Sequence, residues 1–441
     1  MRWKGAAREG GPFFYGCGRG TCPYRPLTTP RLGSAFTLRG LSVSFSTRAV
    51  AGLKAAFGPL PASAAPRAVG PDFLRACAIL LVLIQHLPKA AAAEWLILLK
   101  PYGWLGVDVF FVLSGYLIGG QLLRPVSRGE TPDLSRFWAS RAFRILPAFL
   151  VILALYKLLP GFTDGEGIQP LWRFLTFTMN LGLDYTRTGN FSSAWSLCVE
   201  EWFYLTLPLL VLALRLPVFR KAGPWPTVAF AIAVVLGGMA LRYGLWRDLS
   251  TIADPPAGLY QRVVYYPTWC RLDGLLMGVM LACVRTFHPA RWAKVCPPWL
   301  AAGLAVATWI VSVRLIGLHG VTLTLTGATV VYPLFSLGCA LMLSALLDIE
   351  PWLARQRPRG LAQLAALAYS LYLVHKPVYC AMYAWLGAEV LHGWIGLALY
   401  VLPVFAAAVV LHVLVERPFL RLRDRVMARR VEADEPVRLA A

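Results

Sequence analysis

The sequence predicts an all-α fold, a polytopic bundle of about ten transmembrane helices, or eleven if one short apolar piece also crosses. Three observations predict it. The 441 residues are 58% hydrophobic and 15% charged, against about 25% charged in an ordinary soluble domain. From Asp72 onward apolar runs follow one another closely, many approaching the ~20 residues a helix needs to cross a bilayer. The net charge of +21 lies between these runs rather than along them. Basic loops at one membrane face account for that charge, so nucleic acid is not an expected partner and the lipid bilayer is.

Residues 1–70 differ from the rest. They are rich in Gly, Arg, Ser and Pro, Glu9 is their only acid, and no apolar core with a cleavage site is evident. A disordered tail or a start codon assigned too early fits them, and the composition also has a superficial likeness to a transit peptide. The membrane domain is expected over 71–425 and a cytoplasmic tail over 426–441. Spans are expected near 72–90, 104–123, 145–160, 195–215, 227–246, 267–285, 298–317, 321–347, 363–386 and 391–415. No second soluble domain is expected after the last span. Residues 171–183 are the short apolar piece that decides between ten and eleven. The nine cysteines are scattered without paired metal spacing, and no metal is expected.

Loop charges give an orientation. Arg124, Arg128, Arg136, Arg141 and Arg144 follow the second span and place that side in the cytoplasm. Alternation then puts Arg215, Arg220 and Lys221 on the same side, with Arg285, Arg291 and Lys294, with Arg355, Arg357 and Arg359, and with Arg417, Arg421, Arg423 and Arg425. Asp164, Glu166, Asp248 and Asp254 fall opposite. The pattern is coherent with ten spans and both termini cytoplasmic, in a cell inner membrane.

An ionisable side chain near the bilayer centre costs roughly 2.5–3.5 kcal/mol on insertion scales, so such residues are paired or used. The first span holds Arg75 and His86. His86 lies 14 positions past Asp72, about 21 Å along a helix, which is the outer half of the membrane. It is either a proton acceptor near neutrality or a histidine bonded to a neighbouring carbonyl. Asp108 in the second span lies at a compatible depth, where a carboxylate can orient an imidazole. Ser114-Gly115 suits close helix packing. Residues 136–147 suggest an interfacial helix on which Arg141 and Arg144 share a face. Phosphate recognition and simple positive-inside anchoring stand equal for that pair. Glu200 and Glu201 open the fourth span, Arg271 and Asp273 the sixth, and His375-Lys376 sit within the ninth. These groups either neutralise one another as buried ion pairs or line a site.

Six stretches, in order, resemble the acyltransferase family 3 membrane proteins over about Asp72–Arg425. They are Leu-Arg-Ala-Cys-Ala-Ile-Leu-Leu-Val-Leu-Ile-Gln-His (74–86), Gly-Val-Asp-Val-Phe-Phe-Val-Leu-Ser-Gly-Tyr-Leu-Ile (106–118), and the Arg-x-x-Arg of 141–144. Trp-Ser-Leu-Cys-Val-Glu-Glu (195–201), Tyr-Ser-Leu-Tyr-Leu-Val-His (369–375) and Glu-Arg-Pro-Phe (416–419) follow. The resemblance implies an O-acyltransferase that moves an acyl group, often acetyl, from cytoplasmic acyl-CoA (acetyl-CoA as the expected donor) to a hydroxyl of a glycan, lipid or small molecule. Some members carry a further C-terminal esterase-like domain, which is not expected here. Lys376 stands where an aromatic is common, and Trp202 where Gln is common.

The expected site follows. His86 is the general base, Asp108 orients it, and Glu200 and His375 join the catalytic group. Arg141 and Arg144 hold the donor phosphates, with Arg75 extending the basic lining. A covalent acyl-histidine step is an open alternative. A transporter or flippase for a glycan or lipid, with the charges lining its pathway, is the competing class, and a non-catalytic membrane scaffold a third.

Overall fold

The computed structural model describes residues 68–88, 94–159, 167–213, 225–316, 324–356, 358–390 and 393–439. The expected tail up to residue 67 lies outside the described residues, as do Asp164, Glu166, Arg215, Arg220, Lys221 and Arg357. The described residues are helical and contain no strand.

The long helices are α1 (Val69–His86), α2 (Leu105–Ser127), α3 (Leu134–Leu158), α4 (Trp195–Ala213), α5 (Trp225–Ser250) and α6 (Asp273–Phe287). They continue as α7 (Pro298–Ile316), α8 (Val331–Asp348), α9 (Leu361–Val390), α10 (Gly393–Leu411) and α11 (Arg417–Leu439). Each expected span overlaps one of α1–α10. Among the described residues, eight helical segments are long and apolar enough to cross a membrane. Two helices fall outside that set: α6 has 15 residues, and α9 carries Ser370, His375 and Lys376 along its middle. Residues 171–183 hold only a five-residue helix, Leu171–Leu175, followed by turns. The expected interfacial helix of 136–147 is continuous with α3, whose N-cap Asp133 accepts from the Arg136 N–H. Arg141 and Arg144 are therefore part of α3 itself.

Burial separates core from lipid-facing helices. α2 and α8 each bury 72% of their apolar window, α5 only 11% and α7 only 22%. Small residues make the core. A Cβ on Gly115 or Gly278 would collide with carbonyl oxygens of the facing helix, at Leu275 and Val112 respectively, so α2 and α6 cross almost backbone to backbone.

α1 is pinned at both ends by charges from elsewhere. Its first N–H groups have no local cap. Instead the Glu350 carboxylate accepts from Val69 N (2.6 Å) and Gly70 N (2.9 Å). At the other end the buried Lys100 ammonium donates to Ile84 O (3.3 Å), Gln85 O (3.0 Å) and Leu87 O. A cation at a helix C-terminus satisfies orphan carbonyls and opposes the macrodipole. His86 sits in that pinned last turn.

Candidate active site

Two polar centres within the apolar bundle bring together the expected site residues other than Asp108 and Arg75. The first joins α1 and α9. His375 is fully buried, and its Nδ1 lies 2.7 Å from Tyr372 O and 3.3 Å from Leu371 O. Carbonyl oxygens only accept, so Nδ1 carries the proton and Nε2 of the neutral ring is an acceptor. That Nε2 lies 3.3 Å from His86 Nδ1, with ring centroids 4.8 Å apart. His86 Nδ1 is also 3.0 Å from Val82 O. Facing two acceptors, it carries the proton and shares it between them. The half-buried His86 therefore presents an unprotonated Nε2.

Further bonds hold this pair. Lys376 Nζ donates to Ser192 Oγ at 2.5 Å. Tyr372 OH donates to Ser193 O (2.9 Å), and Ser196 Oγ lies 2.6 Å from the same phenol. The Ser192–Ala194 turn that opens α4 is thus docked onto α9 at the histidine's level. It is entered through Phe191, a non-glycine residue at φ +58°. Such a conformation is costly and persists only when surroundings impose it. Here Phe191 is clasped by the rings of Tyr156, Phe149 and Phe174, with centroids 5.0, 5.5 and 5.8 Å away. Tyr369 OH donates to Ile145 O (2.8 Å), and Ser370 Oγ to Glu416 Oε2 (2.9 Å), which also meets His412 Nδ1 at 2.8 Å. The 369–375 stretch is thereby fastened to α3 and to the start of the Glu-Arg-Pro-Phe stretch.

The second centre lies between α2, α3 and α4. Ser114 Oγ donates to Glu200 Oε1 at 2.7 Å. Arg141 and Arg144 both act electrostatically on Glu200, and Arg141 also on Glu201. Arg141 Nη2 donates to Gln121 Oε1 (2.9 Å), while its Nε and Glu201 Oε1 are buried without a hydrogen-bond partner. The centres are stacked. Tyr369 bonds the residue after Arg144 and lies six positions before His375, about 9 Å along α9.

Asp108 is not at this site, which corrects its expected role as the orienter of His86. Both its oxygens accept from Arg271 Nη2, at 2.9 and 3.0 Å. Arg271 is fully buried, its guanidinium 4.3 Å from the Tyr332 ring centroid and 4.6 Å from that of Tyr265. A second buried pair, Arg242 with Asp273 (2.7 Å), lies on the same wall. The acid is held by a desolvated guanidinium, while His86 Nδ1 meets Val82 O and His375 Nε2 instead. Its neighbour in that role is His375. Arg75 donates to Asp72 Oδ1 at 2.5 Å, near the start of α1. Lys100 went unmarked in the sequence. No local signal marks it, because Lys89 and Glu94 also lie in the stretch between His86 and Lys100. Among the described residues no three His, Cys, Asp or Glu side chains gather as a metal site.

The fold and this polar interior define a multi-pass helical membrane protein with a paired-histidine centre. The family described as "Acyltransferase domain" matches residues 69–416, and the chain belongs to it. The peptidoglycan O-acetyltransferase OatA of Listeria monocytogenes is 30% identical over 251 residues, 54% of this chain and 36% of that protein. The O-acetyltransferase OatA of Staphylococcus aureus is 29% identical over 269 residues, 58% of this chain and 39% of that protein. A putative O-acetyltransferase of the same species is 31% identical over 226 residues, 48% of this chain and 34% of the relative. The chain thus spans well under half the length of these relatives. No solved structure matches.

Proposed function

We propose that this protein is a membrane-embedded O-acyltransferase that moves an acyl group, acetyl in the first instance, from acyl-CoA to a hydroxyl of a cell-envelope glycan. The observation that carries the reading is the unprotonated Nε2 of His86, left by its bond to His375. Membership of the acyltransferase family supports the reaction, and similarity to the Listeria peptidoglycan O-acetyltransferase supports a glycan acceptor.

In this reading His86 Nε2 takes the proton of the acceptor hydroxyl as its oxygen attacks the thioester carbonyl. The tetrahedral intermediate collapses, the carbon–sulfur bond breaks, and the imidazolium returns the proton to the leaving thiolate. The products are the ester and free CoA. His375 Nε2 holds the Nδ1 proton throughout and stabilises the imidazolium. Arg141 and Arg144 hold donor phosphates below, with the acyl arm rising past Glu200 toward the histidines. Ten spans with both termini cytoplasmic are part of the proposal, supported by the short helix at 171–175 and by the basic ends of α2 and α6.

The test is release of free thiol from acetyl-CoA by the full chain in native-like membranes, with peptidoglycan fragments as acceptor. His86→Ala should abolish release while inserting normally, and retained release would remove the base assignment. Arg141→Ala with Arg144→Ala should raise the donor KM. An unchanged KM would reduce these arginines to topological anchors.

A further inference from the structure

We propose that a cleft between the ends of α2 and α6 is a binding site for a phosphoryl group, separate from the Arg141/Arg144 centre. Tyr116, Gly120, Arg124, Ser127 and Arg128 line it from α2 and its C-cap, and Arg285 from α6. The positions 116, 120, 124 and 128 recur every four residues, so one face of α2 and the residue that caps it build the wall. No carboxylate is among the lining side chains.

Three features distinguish this from basic residues that merely set topology. First, three arginines line one cleft, Arg124 and Arg128 from its exposed rim. Arg285 is held in place from behind, its Nη1 donating to Asp348 Oδ1 (2.7 Å) and Ser344 Oγ (3.2 Å). Second, the donor set suits phosphate. Guanidinium forks match its oxygens, and the Tyr116 and Thr286 hydroxyls add neutral donors. Third, the floor is a glycine. A Cβ on Gly120 would meet only the Arg124 guanidinium, at 3.8 Å, so Arg124 lies folded over bare backbone. A larger residue there would occupy the cleft without disturbing another helix.

Size narrows the ligand. The cleft holds about 280 Å³. At roughly 30 Å³ per water this is room for on the order of nine waters. A phosphodiester headgroup or a diphosphate fits, whereas a whole acyl-CoA does not. The cleft opens where two spans end, the level of lipid headgroups. The phosphoryl group can thus belong to an anionic phospholipid or to the nucleotide end of the donor.

Binding is measured directly, on the full chain carrying His86→Ala, so the outcome does not depend on acyl transfer being its activity. One arm counts phosphatidylglycerol and cardiolipin molecules retained in native mass spectrometry, with phosphatidylcholine as the neutral comparison. The other titrates CoA. Arg124→Gln with Arg128→Gln removes charge, and Gly120→Leu fills the cleft while keeping every arginine. Each should weaken one probe by about ten-fold or more, the loss of at least one charge-assisted bond. Loss confined to the anionic lipids assigns the site to a headgroup, and loss confined to CoA assigns it to the donor. Gly120→Ala should bind as the parent does. If the double arginine variant fails to fold, Gly120→Leu decides alone. If Gly120→Leu binds both probes as the parent does, or if Arg124→Lys with Arg128→Lys does so, the residues are a diffuse basic patch and the site is refuted.

Discussion

Replacing His375 with leucine removes one acceptor from His86 and leaves the surrounding cradle standing. The carbonyls of Leu371 and Tyr372 belong to α9's own backbone and have partners in its hydrogen-bond ladder, so the apolar side chain strands no buried acceptor. His86 Nδ1 still meets Val82 O at 3.0 Å, so the tautomer is preserved. What is lost is a bond that matters most when His86 becomes an imidazolium. A hydrogen bond to a charged group contributes about 1.5–3 kcal/mol. At about 1.36 kcal/mol per decade this predicts kcat lower by roughly 10- to 150-fold. Both KM values should hold, because neither substrate touches His375 in the proposed mechanism. The assay is thiol release from acetyl-CoA by purified protein, with thermal unfolding as the control for folding. The partners act as one unit, so His375→Leu should add nothing to His86→Ala. His375→Gln, which offers an amide oxygen, should recover part of the rate. An unchanged kcat in His375→Leu, or a double variant slower than His86→Ala by the full single-variant factor, would refute the pairing as a functional unit.

Other replacements separate support from chemistry. Asp108→Leu should lower stability by about 3–5 kcal/mol because it strands the buried Arg271, and Asp108→Leu with Arg271→Leu should regain much of that loss in thermal unfolding. If the single variant instead unfolds like the wild type but loses turnover, Asp108 acts in the chemistry after all. Lys100→Met should cost about 2–3 kcal/mol by freeing three carbonyls at the end of α1, and should lower kcat by displacing His86. Intact turnover and stability would show that Lys100 does not pin that turn. Gly115→Val should destabilise by at least about 1–3 kcal/mol through its collision with the Leu275 carbonyl, read as a lower unfolding temperature.

The long apolar helices were legible because hydrophobicity accumulates over whole segments, and single exceptions do not erase it. α9 shows the limit. His375, Lys376 and Ser370 dilute its apolar character, yet the helix runs through them because α1, α3 and α10 cover those groups. The partners of the site were not legible. His86 and Asp108 lie at compatible depths, but depth does not fix azimuth. Asp108 turns toward α6, where Arg271 takes both its oxygens, while His86 turns toward α9, 289 residues away. Lys100 was invisible for a related reason. Its task is to complete a neighbouring helix end, which no local pattern around Lys100 announces.

The stacking of the two centres gives the chemistry a direction that neither has alone. Tyr369 lies about 9 Å before His375 along α9 and bonds to Ile145 O, beside Arg144 on α3, while Tyr372 bonds to the turn that opens α4. One helix therefore sets the spacing between the proposed donor anchor and the proposed base. A thioester arm held below is presented to His86 at the end of α1, and Lys100 and Glu350 keep α1 from sliding relative to that spacing. The acceptor then meets the base from the side of the membrane where α1 ends. Under the ten-span topology that is the outer face, where a cell-envelope glycan lies. In the proposed mechanism donor and acceptor therefore approach from opposite faces, and only the acyl-bearing arm of the donor has to rise to the base.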